Sequence, residues 1–299
     1  MKEADLLQKN FGIIPKMKEA DLLQKNFGII PKIYMHIDCP VTTPFDKLAN
    51  ITNWETIYHG TCGVGVGATF QREEDFHSIH VGDLQYMEVL ELKLAGLVTY
   101  YNTGVPDLIE FLDAIHRMLP LIQIVTEMPY FREQIFEGAQ GLLLDQNIGF
   151  FPHVTRSNTG SKNILELLNG TELHYYLITR CYQTRHGHGP ITNKEIPLRI
   201  KPNPKETNKY NAHQGHFRTS VLDLSLLKYG MERDKGIRKS SNKTLVVTCC
   251  DQIEGSYQFT IAGKLCTGTQ ARFERILSEY LNVQKVLFIN DPTGARISI

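Results

Sequence analysis

The sequence predicts an α/β fold with a mainly parallel central sheet flanked by helices, and three observations carry that prediction. Apolar runs of strand length, such as Leu173 to Thr184 and Lys243 to Thr248, alternate with stretches of helical periodicity such as Val105 to Ile122. Several of these runs exit into segments rich in Gly, Thr, Ser and Asn, and strand ends of this kind are where open α/β sheets hold ligands. At 299 residues the chain is long enough for one large domain or two ordinary ones with ample core.

Lys plus Arg balance Asp plus Glu at 32 each, so no net field recruits nucleic acid or a membrane surface. A local pocket can still be positive within a neutral whole. No apolar run approaches the roughly 18 residues that span a bilayer, and the start lacks a secretory h-region. The cysteines, Cys39, Cys62, Cys181, Cys249, Cys250 and Cys266, have no zinc spacing, so free thiols in a reducing cytosol are the simplest expectation.

Residues 1–16, MKEADLLQKNFGIIPK, recur letter for letter as 17–32. A solenoid needs about three units and tolerates drift, so this copy reads as a duplication. The expected organisation is an appended segment 1–16 followed by one domain, 17–299. Each copy suggests a short amphipathic helix stopped by Asn-Phe-Gly and then Pro.

Past the repeat, Ile33 to Asp38 reads as a strand, and PVTTPFDKL turns into a helix capped by Thr43 or Asp46. Gly60 to Gly67, GTCGVGVG, is either a phosphate loop or a plain glycine-rich turn. From Leu84 to Met118 apolar residues recur at helical spacing up to a break before Pro120, and His116 reads as a solvated helix residue. Phe136 to Gly160 is the loop on which the rest is organised. Gly138, Ala139 and Gly141 let a backbone approach a flat ligand, and Gln140 offers a donor and an acceptor to a base edge; an ordinary strand-to-helix turn is the alternative.

In the second half, Leu173 to Thr184 reads as one strand ending in the turn RHGHGP. His186 and His188 lack a third ligand at metal spacing. Arg218 has the planar fork that holds a carboxylate through two parallel bonds, although a surface pair with a nearby Asp or Glu uses the same chemistry. The helix after it starts at Asp223 or Ser220, the charge-rich segment Met231 to Lys243 is expected in solvent, and Lys243 onward reads as a buried strand with a polar exit. A helix, Thr269 to Leu281, and the strand KVLFIN close the pattern.

Several of these motifs share one likeness. EGAQG at Glu137 to Gly141, followed by LLD and then P-x-V-T-x-S-N-T, resembles the signature of adenylosuccinate synthetases. PVTTPFD, GTCGVGVGATF, VGDL, TRHGHGP, QGHFR with Leu222 and Asp223, and TCCD follow in family order, so the resemblance covers most of the chain after about residue 33. It implies a P-loop-NTPase-like ligase fold, joining IMP to L-aspartate with GTP and Mg²⁺ in purine nucleotide biosynthesis, in a cytoplasmic homodimer. Carried over residue by residue, it sets Thr61, Cys62, Gln140, Leu144, Thr155 and Arg185 around the IMP site, Arg218 on the aspartate, and Asp251 with Cys249 on the GTP.

There are departures. Nothing in residues 1–35 matches the family's G-D-E-G-K-G-K or G-G-x-N-A-G-H, so relative to the family the chain reads as N-terminally truncated, without an identifiable catalytic base or acid. Phe76 stands where bacterial members have an Arg that reaches the partner subunit, with Arg72 one helical turn earlier as a substitute. Cys249 stands where a Lys would stack along the base. The Q-G-x-F-R form is similar to the shorter archaeal and phage-related branch, which leaves open a phage-type enzyme using dGMP for 2-aminoadenine synthesis. A non-catalytic purine-nucleotide-binding protein on the same scaffold is the reading from another class.

Overall fold

The computed structural model describes residues 28, 32–53, 60–138, 140–168, 172–204, 206–210 and 212–290. The expected appendage 1–16, both helices of the repeat and Ala139 lie outside the described residues. The chain divides into two compact units, Met1–Ala139 and Gln140–Ile299.

In the first unit, β1 (Ile33–His36) and β2 (Ile122–Val125) pair in parallel, Ile33 opposite Ile122 and His36 opposite Val125. Helix α1 (Pro44–Thr52) uses both expected caps. Thr43 is the N-cap, and its backbone N–H donates to Asp46 Oδ2 at 2.6 Å while the Asp46 N–H donates back to Thr43 Oγ1 at 3.4 Å. The glycine-rich run leads into α2 (Val66–Glu74). Its N-cap, Gly65, has φ +92°, and a Cβ there would lie 2.8 Å from the Asp46 carbonyl carbon and the Lys47 nitrogen, so only glycine fits. The helical stretch from Leu84 to Met118 resolves into α3 (Met87–Tyr101) and α4 (Ile109–Met118), because Asn102 turns left-handed at φ 47° and Pro106 follows. Phe45, Ile79, Leu84, Leu90, Leu97, Phe111 and Ile115 form the core of this unit.

The second unit contains α5 (Lys162–Leu168), β3 (Tyr175–Arg180), β4 (Gln183–Arg185), β5 (Arg218–Ser220), β6 (Leu222–Asp223), α6 (Leu224–Arg233), α7 (Lys235–Lys239), β7 (Lys243–Thr248), β8 (Tyr257–Ile261), β9 (Lys264–Gly268), α8 (Gln270–Leu281) and β10 (Lys285–Phe288). A parallel sheet runs β10-β7-β3, with the apolar, buried β7 in the middle. A second sheet runs β6-β8-β9, and β4 pairs antiparallel with β5. Phe273 of α8 joins the two sheets through ring contacts at 4.9 Å to Tyr257 of β8 and 6.2 Å to Phe288 of β10. Asp223, not Ser220, caps α6, accepting from the Ser225 and Leu226 N–H groups. Ser220 is instead the last residue of β5.

Two expectations are corrected. The single strand from Leu173 to Thr184 is two strands in different sheets. Cys181 and Tyr182 are both buried in succession, which breaks the two-residue alternation, and the chain changes sheets there. The charge-rich segment 231–243 is not a solvent segment. Met231, Asp234, Gly236, Ile237 and Lys243 are buried, because Asp234 caps α7 and Ile237 joins the core.

Candidate functional site

The central loop is held by two buried carboxylates. Asp145 accepts from the Asn147 N–H at 2.8 Å and the Thr159 N–H at 2.6 Å, so it folds the loop back on itself. The Thr155 N–H donates to the Leu144 carbonyl at 2.7 Å, which brings these two candidates together across the turn. Gln140 is exposed at the loop's start. Asp234 pins the other end. Its carboxylate accepts from the Ser161 N–H at 2.7 Å and from the Ser161 hydroxyl, and also from the Gly236 and Ile237 N–H groups at the start of α7. A Cβ on Gly160 would overlap Asp234 Oδ2, so that glycine is the close approach the pin requires.

Arg185 and Arg218 face each other across the β4–β5 pair. Arg185 Nη2 donates to the His153 carbonyl at 3.0 Å, which ties it to the central loop. Its Nε is buried and lacks a hydrogen-bond partner. The guanidinium lies against Gly189, where a Cβ would fall 1.9 Å from Nη2. Arg218 Nη2 donates to the Gly187 carbonyl and, at 2.7 Å, to the Gly189 carbonyl. Neither arginine forms an ion pair among the described residues. Burial, and then the Arg218 charge, hold the Arg185 guanidinium below its ordinary pKa. Two like charges directly opposed, with carbonyl oxygens as their only hydrogen-bond partners among the described residues, make a place where an anion is favourable.

Beside them lies the turn after β7. Cys249 has φ 60°, uncommon for a residue with a side chain, and its carbonyl accepts from the Cys181 thiol at 3.1 Å. The contact with Cys250, and then burial, push the Cys181 thiol well up, so it stays protonated. Asp251 follows and is exposed at the strand end, free to meet a ligand from solvent. Phe217, one residue before Arg218, lies 5.2 Å beneath the Arg180 guanidinium, which connects the arginine pair to this turn. The sequence reading missed Arg180 and Asp234. The first was available from its place at the end of a strand with Tyr182 two residues on; nothing in the sequence marks the second apart from other acidic residues.

Thr61 and Cys62 lie in the first unit. Thr61 Oγ1 donates to Asn50 Oδ1 at 2.7 Å and accepts from the Gly63 N–H at 3.2 Å, while Cys62 is exposed. Gly60, Gly63 and Gly65 all have positive φ, so the loop's glycines are used for backbone shape. Arg72 is corrected as a substitute for the missing cross-subunit arginine. It is fully buried and all five of its N–H groups are matched, to Asp46 at 2.8 and 3.2 Å, Glu73 at 3.1 Å, the His77 carbonyl at 2.9 Å and the Val41 carbonyl at 2.5 Å. Phe76 is 94% exposed at φ 64° and has no polar group to offer a phosphate.

His186 bonds the Gly215 carbonyl at 3.1 Å, and its ring meets Phe217 edge-on. No group of three or more His, Cys, Asp or Glu side chains that could hold a metal ion occurs among the described residues. No helix among the described residues is long and apolar enough to cross a membrane.

Fold and site together define an α/β protein in which two opposed arginines sit on an antiparallel pair that follows directly on the carboxyl end of the parallel strand β3, one of them tied to a pinned glycine-rich loop. A family model described as adenylosuccinate synthetase matches residues 14–286, and the chain belongs to that family. It is 28% identical over 232 residues to the adenylosuccinate synthetase of Buchnera aphidicola subsp. Acyrthosiphon pisum (strain Tuc7), covering 70% of this chain and 51% of that protein. Over 152 residues, 44% of this chain and 35% of the relative, it is 36% identical to the enzyme of Alkalilimnicola ehrlichii. The chain thus spans about half the length, or less, of these relatives. Among solved structures it is similar to a fully ligated adenylosuccinate synthetase from Plasmodium falciparum, with TM-score 0.64, 15% identity, and 93% of this chain and 80% of that chain covered. It is also similar to the succinoaminodeoxyadenylate synthetase of cyanophage S-2L bound to dGMP and dATP, with TM-score 0.52, 12% identity, and 94% and 71% covered.

Proposed function

We propose that the chain works as an adenylosuccinate synthetase-type ligase subunit, joining a purine nucleotide monophosphate, IMP, to L-aspartate with GTP as the phosphoryl donor. The observation that carries this reading is the opposed pair Arg185 and Arg218, two guanidiniums without a carboxylate partner. A purine oxo group leaves poorly. Phosphorylation by GTP converts it to a phosphate ester, and the aspartate amine then displaces phosphate. Such a route needs two nucleotide pockets, a carboxylate site and positive charge along the transferring phosphoryl.

In this reading Arg218 presents two parallel N–H groups to the aspartate carboxylate, and Arg185 lies beside the nucleotide monophosphate. Gln140, Leu144 and Thr155 surround the purine and its phosphate, and the family motif carries Thr61 and Cys62 over as further nucleotide residues. Asp251 accepts from N1 and the exocyclic amine of guanine, donors that adenine does not present together, and Cys249 stands where the family's lysine would stack. Mg²⁺ would arrive with the phosphates of GTP. A cytoplasmic homodimer belongs to the same proposal, with Phe76 in place of the cross-subunit arginine.

A second reading, from a different class, is a non-catalytic purine-nucleotide-binding protein on the same scaffold; nothing in residues 1–35 matches the family's phosphate loop. Incubating the purified chain with IMP or dGMP, GTP, Mg²⁺ and aspartate separates the readings. Turnover with IMP supports the ligase, turnover with dGMP supports the phage-type reaction, and calorimetric binding without turnover supports the second reading. Failure to bind either monophosphate at millimolar concentration overturns them all.

A further inference from the structure

We propose that Arg180 is a positioning residue: acting through Tyr182 and Gln252, it fixes the Cys249–Gln252 turn and so sets how strongly the site prefers guanine over other purines. The specificity half of this proposal rests on the reading of Asp251 given above; the positioning half stands on geometry alone.

Arg180 is the last residue of β3, in register with Thr248, the last residue of β7. Both strands therefore deliver their ends to the same place. Arg180 Nη1 donates to the Tyr182 hydroxyl at 3.0 Å, and that hydroxyl donates to Gln252 Oε1 at 2.8 Å. Gln252 is itself buried, and its carbonyl accepts from the Lys201 N–H at 2.7 Å. Glu206 accepts from the same Nη1 at 2.6 Å and from Nη2 at 3.5 Å, and the face of the guanidinium lies over Phe217. The planar fork serves the phenol through Nη1 and the carboxylate through both terminal nitrogens while its face packs on Phe217, a combination that a lysine ammonium reproduces only in part.

An exposed Arg–Glu pair would contribute little and would need no further account. Two features make this one different. Tyr182, its inner partner, is only 3% exposed, so the chain of bonds runs into the interior. At the far end Cys249 holds a left-handed backbone at φ 60°, a conformation that persists in a residue with a side chain only when its surroundings over-determine it. The brace supplies that constraint one turn away, and Asp251 stands between the brace and the strained residue.

The test uses the full chain and two measurements. Calorimetry with GTP and ITP gives the guanine-over-hypoxanthine affinity ratio, since hypoxanthine lacks the exocyclic amine. Iodoacetamide alkylation of Cys249, followed by peptide mass, reports the turn directly. Losing one internal hydrogen bond of about 1 kcal/mol corresponds to roughly fivefold, so Tyr182→Phe, which keeps the ring in place, is expected to lower the ratio about fivefold and speed alkylation by a similar factor. Arg180→Met should do the same, with partial recovery in Arg180→Lys. Wild-type ratio and alkylation rate in Tyr182→Phe would overturn the proposal. A wild type with no guanine preference would overturn the Asp251 reading and the specificity half, and the alkylation rates alone would then decide the positioning half.

Discussion

Arg72 in the first unit and the Arg185–Arg218 pair in the second are the same side chain in opposite circumstances. Arg72 is buried with every N–H matched, and its main partner, Asp46, also accepts from the Thr43 N–H, the Thr43 hydroxyl and the Tyr101 hydroxyl. Among the described residues Arg185 and Arg218 meet only carbonyl oxygens, and the buried Arg185 Nε has no partner. A saturated arginine holds helices α1 and α2 together. An unsaturated pair remains available for an external anion, and hydrogen-bond accounting alone separates the two roles.

The largest effect expected from this contrast is at Arg72. Arg72→Met leaves the Asp46 charge buried, and losing one member of such a pair should lower unfolding free energy by about 3–5 kcal/mol in urea titration. A variant as stable as the wild type would break the comparison on the first-unit side. Arg185→Leu should behave in the opposite way. Removing a partly desolvated like charge should leave the urea midpoint unchanged or raised, while the affinity for IMP falls by roughly 10-fold to 100-fold, as for loss of hydrogen bonds to a charged group. A large loss of stability there would make Arg185 another structural arginine.

The smallest effect sharpens the contrast with a third arginine, Arg180, which has a carboxylate. The Arg180 hydrogen bond, aided by Asn208, lowers the Glu206 carboxyl from 4.5 to about 2. A depressed carboxylate pKa contributes stability that is full above the unfolded value and is lost as pH falls through the folded one. The melting difference between wild type and Glu206→Gln should therefore be constant above pH 4.5 and shrink between 4.5 and about 2. A difference that does not change over that range would show that the pair contributes nothing.

Local signals were legible in the sequence where a residue's role depends on its near neighbours. Thr43 with Asp46 is a cap readable from three residues of context. The strand exits at Arg185 and Asp251 were equally plain from pattern. What the sequence did not reveal depended on distant partners. Whether Arg72 was available to a ligand turned on Asp46, 26 residues away, and whether Asp234 faced solvent turned on Ser161, 73 residues away. The division of Leu173 to Thr184 into two strands likewise depends on where β5 lies. Resemblance supplied the order of motifs, but it could not say which arginines were already occupied.

The carboxylate of Asp234 belongs to two structures at once, the mouth of the central loop and the first turn of α7. Neither can loosen without disturbing the other's hydrogen bonds, so the segment around Gly160 and the helix beginning at Lys235 should open to solvent as a single cooperative unit. Any ligand that tightens the loop would then be felt as slower fraying of a helix it never touches.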